Sequence, residues 1–437
     1  MTDRQAAAPV AEIARLSAPT ILVTFVQAAA QTTEAALIGR LGTDALAGYA
    51  LVLPLLMLMN MTSGGAMGGG VASALARSIG AGRMQEAAAL VTHAAVIALG
   101  MGLLTTVLAL GFGPLLYRSV GGTGAALDHA LAYSGILFGG AVLIWLANIL
   151  GAALRGAGRM RLPAIIMTVV WVIEAPLSGF LMLVLGWGLP GAAVAYLTVY
   201  ALATVGMLVM IARGGAGFRP NFTAPLRREL FGRILSVGII ATVMATIANL
   251  TVVLMTALVA RHGTAAIAAY GVGVRLEFLI IPLGFGVGVA LISLVGRRVG
   301  AGDWGSARMT AWRGGLIAGA AAGVIGLTAA IFPHPLARFF ASDPAVQEAI
   351  VLYLRWVGPS FGPFGLGMAL YFASQGAGRM RGPFVASVSR MVVAVGGGWV
   401  LASFTGTGLP GAFAAVAGGL VFYGLLMAVS VRPGVWR

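Results

Sequence analysis

Thr20, Thr24, Gln27, Gln31 and Glu34 follow one another at spacings of four, three, four and three within an otherwise apolar stretch near the start of the chain. On a helix that rhythm puts all five side chains on one face. A carboxylate at bilayer depth costs about 2.5–3.5 kcal/mol on insertion scales, so such a face must line protein or water rather than lipid. A stripe of neutral amides and hydroxyls ending in an ionisable group is suited to passing a proton or a cation. Interhelical hydrogen bonding is the simpler use of the same residues.

Of the twelve acidic residues, only Glu34, Glu174 and Glu277 fall inside long apolar runs; the others lie in tails, loops or run ends. Glu174 is followed at once by Ala175 and the bend-forming Pro176. If Glu34 and Glu174 share one cavity, burial and mutual repulsion both disfavour two negative charges there, which is the physical requirement for a proton carrier. Sodium would also use carboxylates, with neutral oxygens added from Gln31, Thr33 or Ser178. Glu277 stands two residues after Arg275 in "RLE", so the two point to nearly opposite sides of a helix and each needs another partner. Arg275 and Arg355 are expected to serve as buried counter-ions, and Arg390 to extend its head towards an aqueous face. Asn60, Asn148 and Asn249 read as isolated packing residues. Trp171 and Tyr270, among other aromatic and methionine residues, offer a soft wall for flat cationic or amphiphilic compounds. With Gln27, Gln31, Glu34 and Glu277 they make up the expected substrate-contacting set.

These residues need helices to hold them. The chain is 59% hydrophobic and only 9% charged over 437 residues, against a charged share of about a quarter in soluble domains. That composition belongs to a polytopic membrane protein. Apolar runs of the ~20 residues needed to span a bilayer are expected at 17–39, 45–76, 87–111, 130–153, 163–186, 191–212, 234–259, 266–295, 314–333, 349–372, 383–404 and 411–430. The fold class is therefore all-α, with twelve transmembrane helices. Glu34 lies about 25 Å along the first helix from Ser17, and Glu174 roughly 16 Å beyond Pro163, at 1.5 Å per residue.

All 27 basic residues are arginine; 20 fall on one set of alternate linkers, four on the other and three within spans. The positive-inside rule makes the richer set cytoplasmic, with both termini inside, as in a multi-pass protein of a bacterial inner membrane. The net charge of +15 is thus a topology signal, and nucleic-acid binding is not expected. The polar lead and the continuing spans read as an uncleaved first helix rather than a signal peptide. The absence of cysteine excludes disulfides and thiolate chemistry. Four scattered histidines show no metal or triad spacing, so neither an enzyme, a resident metal nor a cofactor is expected.

The chain also repeats itself. RGAGRMRLP at 155–163 matches QGAGRMRGP at 375–383, GLPGAAVA at 188–195 matches GLPGAFAA at 408–415, and the GAG at 80–82 matches that at 300–302, all at an offset of 220. LGTDALAGYA at 41–50 resembles HGTAAIAAYG at 262–271 with the offset changed by one. Six spans per repeat give both halves the same orientation, hence two pseudo-symmetric six-helix bundles. The expected organisation is a tail at 1–16, a bundle at 17–212, an arginine-rich linker at 213–233, a second bundle at 234–430 and a tail at 431–437. "NMTSGGAMGGG" at 60–70 and "PLGFGVGVA" at 282–290 suggest close helix packing or bends within spans.

The opening "APTILVTFVQ", the acid before "GRLGTDALAGYA", the "IGAGR" loop, "RGAGRMRLP" and the late "GLPGAA" together resemble the multidrug and toxic compound extrusion (MATE) transporters over about residues 15–430. That resemblance implies export of organic cations and other drugs in exchange for protons or sodium ions, through a V-shaped pair of bundles. By position, Glu34 stands where many members carry aspartate. Where proton-coupled members often have Asn and then Asp four residues later, this chain has Glu174 and Ser178. The expectation is a monomeric proton-coupled drug antiporter contributing to antibiotic resistance, with Glu34, Glu174, Gln31 and Ser178 handling the ion. A sodium-coupled antiporter and a lipid-linked oligosaccharide flippase are the alternatives.

Overall fold

The computed structural model describes residues 8–221, 223–404 and 406–436. Its secondary structure is helical, with no strand among those residues. Among the described residues ten helices are long and apolar enough to cross a membrane: Val10–Gly39, Thr43–Gly80, Met84–Ser119, Arg161–Val184, Leu189–Ala212, Arg228–Ala260, Thr264–Gly300, Trp304–Ile331, Arg381–Ser403 and Gly408–Ser430. Gly124–Gly139 and Ala141–Gly156, bent by 49°, form an eleventh if taken as one span. The stretch expected as the tenth span is divided into Pro344–Val357, a 3-10 turn at Gly358–Ser360, and Phe361–Ala377. Its pieces are 14 and 17 residues long, below the ~20 residues of a typical span. The twelve-helix reading remains consistent with this pattern.

The helices form two compact units, one of residues 18–238 and the other of the N-terminal segment up to Ser17 together with 239–437. The first helix begins at Val10, seven residues earlier than the apolar run suggests. Its lead packs in the second unit: the Ala8 amide donates to Thr310 Oγ1 at 3.1 Å, and Ile13 is fully buried there. The arginine-rich linker is anchored to the first unit. Thr92 Oγ1 donates to the Asn221 carbonyl at 2.7 Å, the Arg227 amide donates to His93 Nε2 at 2.8 Å, and Arg233 pairs with Glu86.

The repeat in sequence is a repeat in geometry. Gly82 (φ 73°) and Gly302 (φ 81°) each close a helix in the left-handed region, and the following amide reaches back to Ser78 and Arg298 carbonyls at 2.9 Å in both halves. Gly158 (φ 74°) and Gly378 (φ 71°) do the same, with 2.9 Å bonds to Leu154 and Ser374. This is the helix stop that glycine allows without a Cβ penalty. Close packing is duplicated too. A Cβ on Gly156 would come within 2.6 Å of the Ala72 carbonyl oxygen, and one on Gly376 within 2.7 Å of the Ile292 carbonyl oxygen. The helices can touch there only because both residues lack a side chain.

Among the described residues three spans carry a π-helical segment: Met61–Met67, Phe180–Val184 and Val392–Gly397. "NMTSGGAMGGG" is therefore continuous helix with one rewound stretch. Such segments recur at functional sites because the extra residue per turn shifts the phase of the side chains that follow.

Candidate functional site

In the first unit, the polar stripe of the opening helix turns inward as its spacing requires. Thr20 and Glu34 are buried, Thr24, Gln27 and Gln31 are half-buried, and Leu22 and Phe25 between them are exposed. On helix Arg161–Val184, Trp171, Glu174 and Ser178 share a face by their spacings of three and four, and all three are buried. Glu34 and Glu174 are direct electrostatic neighbours, with Tyr49 and Tyr133 beside them. Glu34 lies within hydrogen-bonding reach of Glu174 and Tyr49, a contact that a proton shared between the two carboxyl groups completes. Glu34 Oε1, both Glu174 oxygens, Ser178 Oγ, Trp171 Nε1 and the Tyr133 hydroxyl are buried without a hydrogen-bond partner. An orphaned buried polar atom costs about 1–3 kcal/mol, and a cluster of them is met by a proton, water or an ion.

Beside this pair lies a satisfied network. Asn60 Nδ2 donates to the Tyr196 hydroxyl at 3.2 Å, the Tyr200 hydroxyl donates to Asn60 Oδ1 at 3.1 Å, and Asn148 Nδ2 donates to Ser63 Oγ at 2.8 Å. Trp171 packs edge-on against Tyr196 and Tyr200 at 5.8 and 6.0 Å. Asn60 and Asn148 thus hydrogen-bond between helices within one network, as packing residues do. Asn249, which bonds the Ala245 carbonyl at 2.9 Å, lies elsewhere.

The second unit places Glu277 differently. Its Oε1 accepts from the Tyr353 hydroxyl at 3.0 Å, and its Oε2 faces Arg390 Nη2 at 3.6 Å. Tyr270 packs edge-on against Tyr353 at 6.1 Å, and Tyr353 against Phe413 at 5.0 Å. Two expectations are corrected here. Arg275 and Arg355 are exposed and are not buried counter-ions. Arg390, expected to reach for an aqueous face, is the residue that neutralises Glu277, because its guanidinium lies over the Phe364 ring at 4.9 Å and is held inside.

The expected site residues therefore fall into two clusters. Gln27, Gln31, Glu34, Trp171, Glu174 and Ser178 belong to the first unit, and Tyr270 and Glu277 to the second. Tyr49, Tyr133, Tyr353 and Arg390 were not singled out as site residues by sequence reasoning. The repeat held a signal for three of them: Tyr49 and Tyr270 occupy matching places in the duplicated motif, and Tyr133 and Tyr353 are 220 apart. Arg390 left no such trace, since the matching position of the first half is Val170.

Paired helical halves with acids buried in their interiors describe a membrane transporter. The MatE family profile matches residues 19–180 and again 239–400, and the chain belongs to that family of MATE transporters. It is 27% identical over 364 residues, 82% of this chain and 80% of the relative, to a FAD transporter of Shewanella oneidensis. It is 23% identical to a probable multidrug resistance protein NorM of Thermotoga maritima, covering 98% of this chain and 93% of that one. Among solved structures it resembles a MOP superfamily transporter from Pyrococcus furiosus, with a TM-score of 0.90 at 22% identity, covering 97% of this chain and 95% of that one. It also resembles the Vibrio cholerae MATE transporter VcmN, with a TM-score of 0.88 at 21% identity and cover of 97% and 96%.

Proposed function

We propose that this chain exports planar, amphiphilic organic compounds, organic cations among them, across a bacterial inner membrane in exchange for protons. The observation that carries the reading is the Glu34–Glu174 pair, two neighbouring buried carboxyl groups that no basic side chain among the described residues pairs. Losing and regaining a proton changes the charge of that site by a whole unit where the surroundings are apolar, which biases the first half between two shapes. Gln31 and Ser178, on the same two helix faces, can relay or solvate the ion, while Gln27 and Trp171 are placed to contact substrate. Alternating exposure of the two halves is supported by their duplication.

The energy suffices. One elementary charge crossing 100 mV releases ~2.3 kcal/mol, and a tenfold outward drug gradient costs about 1.4 kcal/mol. The arginine asymmetry supports cytoplasmic termini. The multidrug and FAD transport named for relatives supports flat aromatic substrates. We take the working form to be a monomer in lipid that acts as a transporter, not an enzyme.

The test is ethidium efflux from vesicles holding the purified protein, with proton and sodium gradients imposed separately. Efflux under the proton gradient alone is expected. Efflux that follows only sodium would assign the sodium-coupled alternative, and movement of a lipid-linked oligosaccharide without either gradient would assign the flippase.

A further inference from the structure

The arginine of the second half has more binding capacity than its surroundings use. Arg390 lies nine residues into helix Arg381–Ser403, about 14 Å along it at 1.5 Å per residue. Its guanidinium carries five N–H donors in a planar fork. Among the described residues its only charged partner is Glu277, through one contact of 3.6 Å, longer than a hydrogen bond. Glu277 is meanwhile held from its other oxygen by Tyr353 at 3.0 Å. The side chains of Arg390 and Glu277 retain 17% and 13% of their surface exposed, so neither is sealed into the core.

The wall around that fork is aromatic. Phe364 lies under the guanidinium at 4.9 Å, and Tyr270, Tyr353 and Tyr423 are its electrostatic neighbours. A π-helical segment begins two residues after Arg390, at Val392. An apolar span does not carry an under-bonded cation for stability, because a membrane arginine is costly. The first half has Val170 at the matching position, so the two halves differ here and the arginine is not shared between them.

From this geometry we infer that Arg390, with Phe364, Tyr270 and Tyr353, forms a site in the second half for the carboxylate or phosphate of a planar aromatic anion, with Glu277 as the internal group that the anion displaces. A forked anion fits the guanidinium with two parallel N–H···O bonds, where Glu277 makes one long contact. The flat body stacks on the rings that already hold the arginine. This deepens the proposed export function by adding an anionic substrate class to the cations, and it rests on that reading.

Binding is measured without any gradient, on the whole purified chain in detergent, by fluorescence anisotropy. The probes are flavin mononucleotide (a planar phosphate), fluorescein (a planar carboxylate) and uncharged riboflavin. Wild type should bind an anion more tightly than riboflavin, and Arg390→Gln should weaken anion binding by at least about tenfold, the size of a lost charged hydrogen bond. Glu277→Gln should tighten it several-fold by removing the competitor, whereas a purely structural ion pair would give the opposite change. Preference for fluorescein narrows the anion to carboxylates, and preference for the flavin phosphate narrows it to phosphates; either supports the site. Equal binding of riboflavin and the anions, unchanged binding by folded Arg390→Gln, or weaker binding by Glu277→Gln overturns it. If Arg390→Gln does not fold, the Glu277→Gln comparison decides alone. Ethidium efflux by wild type, run in parallel, tests the export reading separately.

Discussion

Tyr353 donates a 3.0 Å hydrogen bond to Glu277, whereas Tyr133, 220 residues earlier, sits beside Glu34 and Glu174 with its hydroxyl unpartnered. Each tyrosine packs edge-on against its own repeat partner, Tyr133 on Tyr49 at 5.6 Å and Tyr353 on Tyr270 at 6.1 Å. The same aromatic pair thus frames an acid with an arginine counter-charge in one half and a pair of acids with none in the other.

The pair of acids without a counter-charge should be required for coupling and dispensable for folding. Glu34→Gln and Glu174→Gln are each expected to reduce proton-driven ethidium efflux by at least about tenfold, and the double variant no further, because residues acting as a unit are not additive. Thermal unfolding in detergent should show no loss of stability in either single variant. A marked fall in midpoint would mean that the carboxyl groups hold the bundle together.

The Arg390–Glu277 pair should behave in the opposite sense. Arg390→Met leaves Glu277 without its counter-charge, and breaking a buried pair costs about 3–5 kcal/mol. The partial exposure of both side chains places this case at or below the lower end of that range. Adding Glu277→Gln to Arg390→Met should recover most of the loss, which a double-mutant cycle on chemical unfolding would read.

Close helix contact gives a paired steric prediction. Gly156→Ala and Gly376→Ala push a methyl group against backbone oxygens, so each should destabilise by about 1–3 kcal/mol through overpacking. Gly111→Ala, with nothing within 4 Å of the added carbon, should be neutral or stabilising. Unfolding midpoints of the three variants test it directly.

The inter-bundle linker depends on one histidine. His93 bonds the Ala89 carbonyl through Nδ1 at 2.8 Å and accepts the Arg227 amide through Nε2. His93→Leu strands that amide, at about 1–3 kcal/mol, and should raise cleavage of the linker by trypsin at its arginines. Unchanged cleavage would show that Thr92 and the Arg233–Glu86 pair suffice.

The helices were legible because bilayer length and apolar runs leave few alternatives. Two spans differed: 130–153 is bent by 49° at Gly140, and in 349–372 Gly358 and Pro359 divide what hydropathy alone reads as one run. The inward face of the first helix was equally plain, since Thr20 to Glu34 obey helical spacing without interruption. That Glu34 would meet Glu174 could be anticipated from charge cost, but not that Arg390 would meet Glu277. That contact joins residues 113 apart on helices whose relative rotation no periodicity encodes, and a π-helical segment follows it at once. Tyr49 and Tyr133 were hidden for another reason: a tyrosine in an apolar span looks like packing until its hydroxyl is seen beside a carboxylate.

The three rewound segments follow Asn60, Ser178 and Arg390 by one or two residues each, at Met61, Phe180 and Val392. A surplus residue in a turn can migrate along a helix without the rod breaking, rolling the side chains it passes by a fraction of a revolution. Each of these polar residues therefore stands just before a change of winding, so the side chains beyond it face a direction that an unbroken α-helix would not give them.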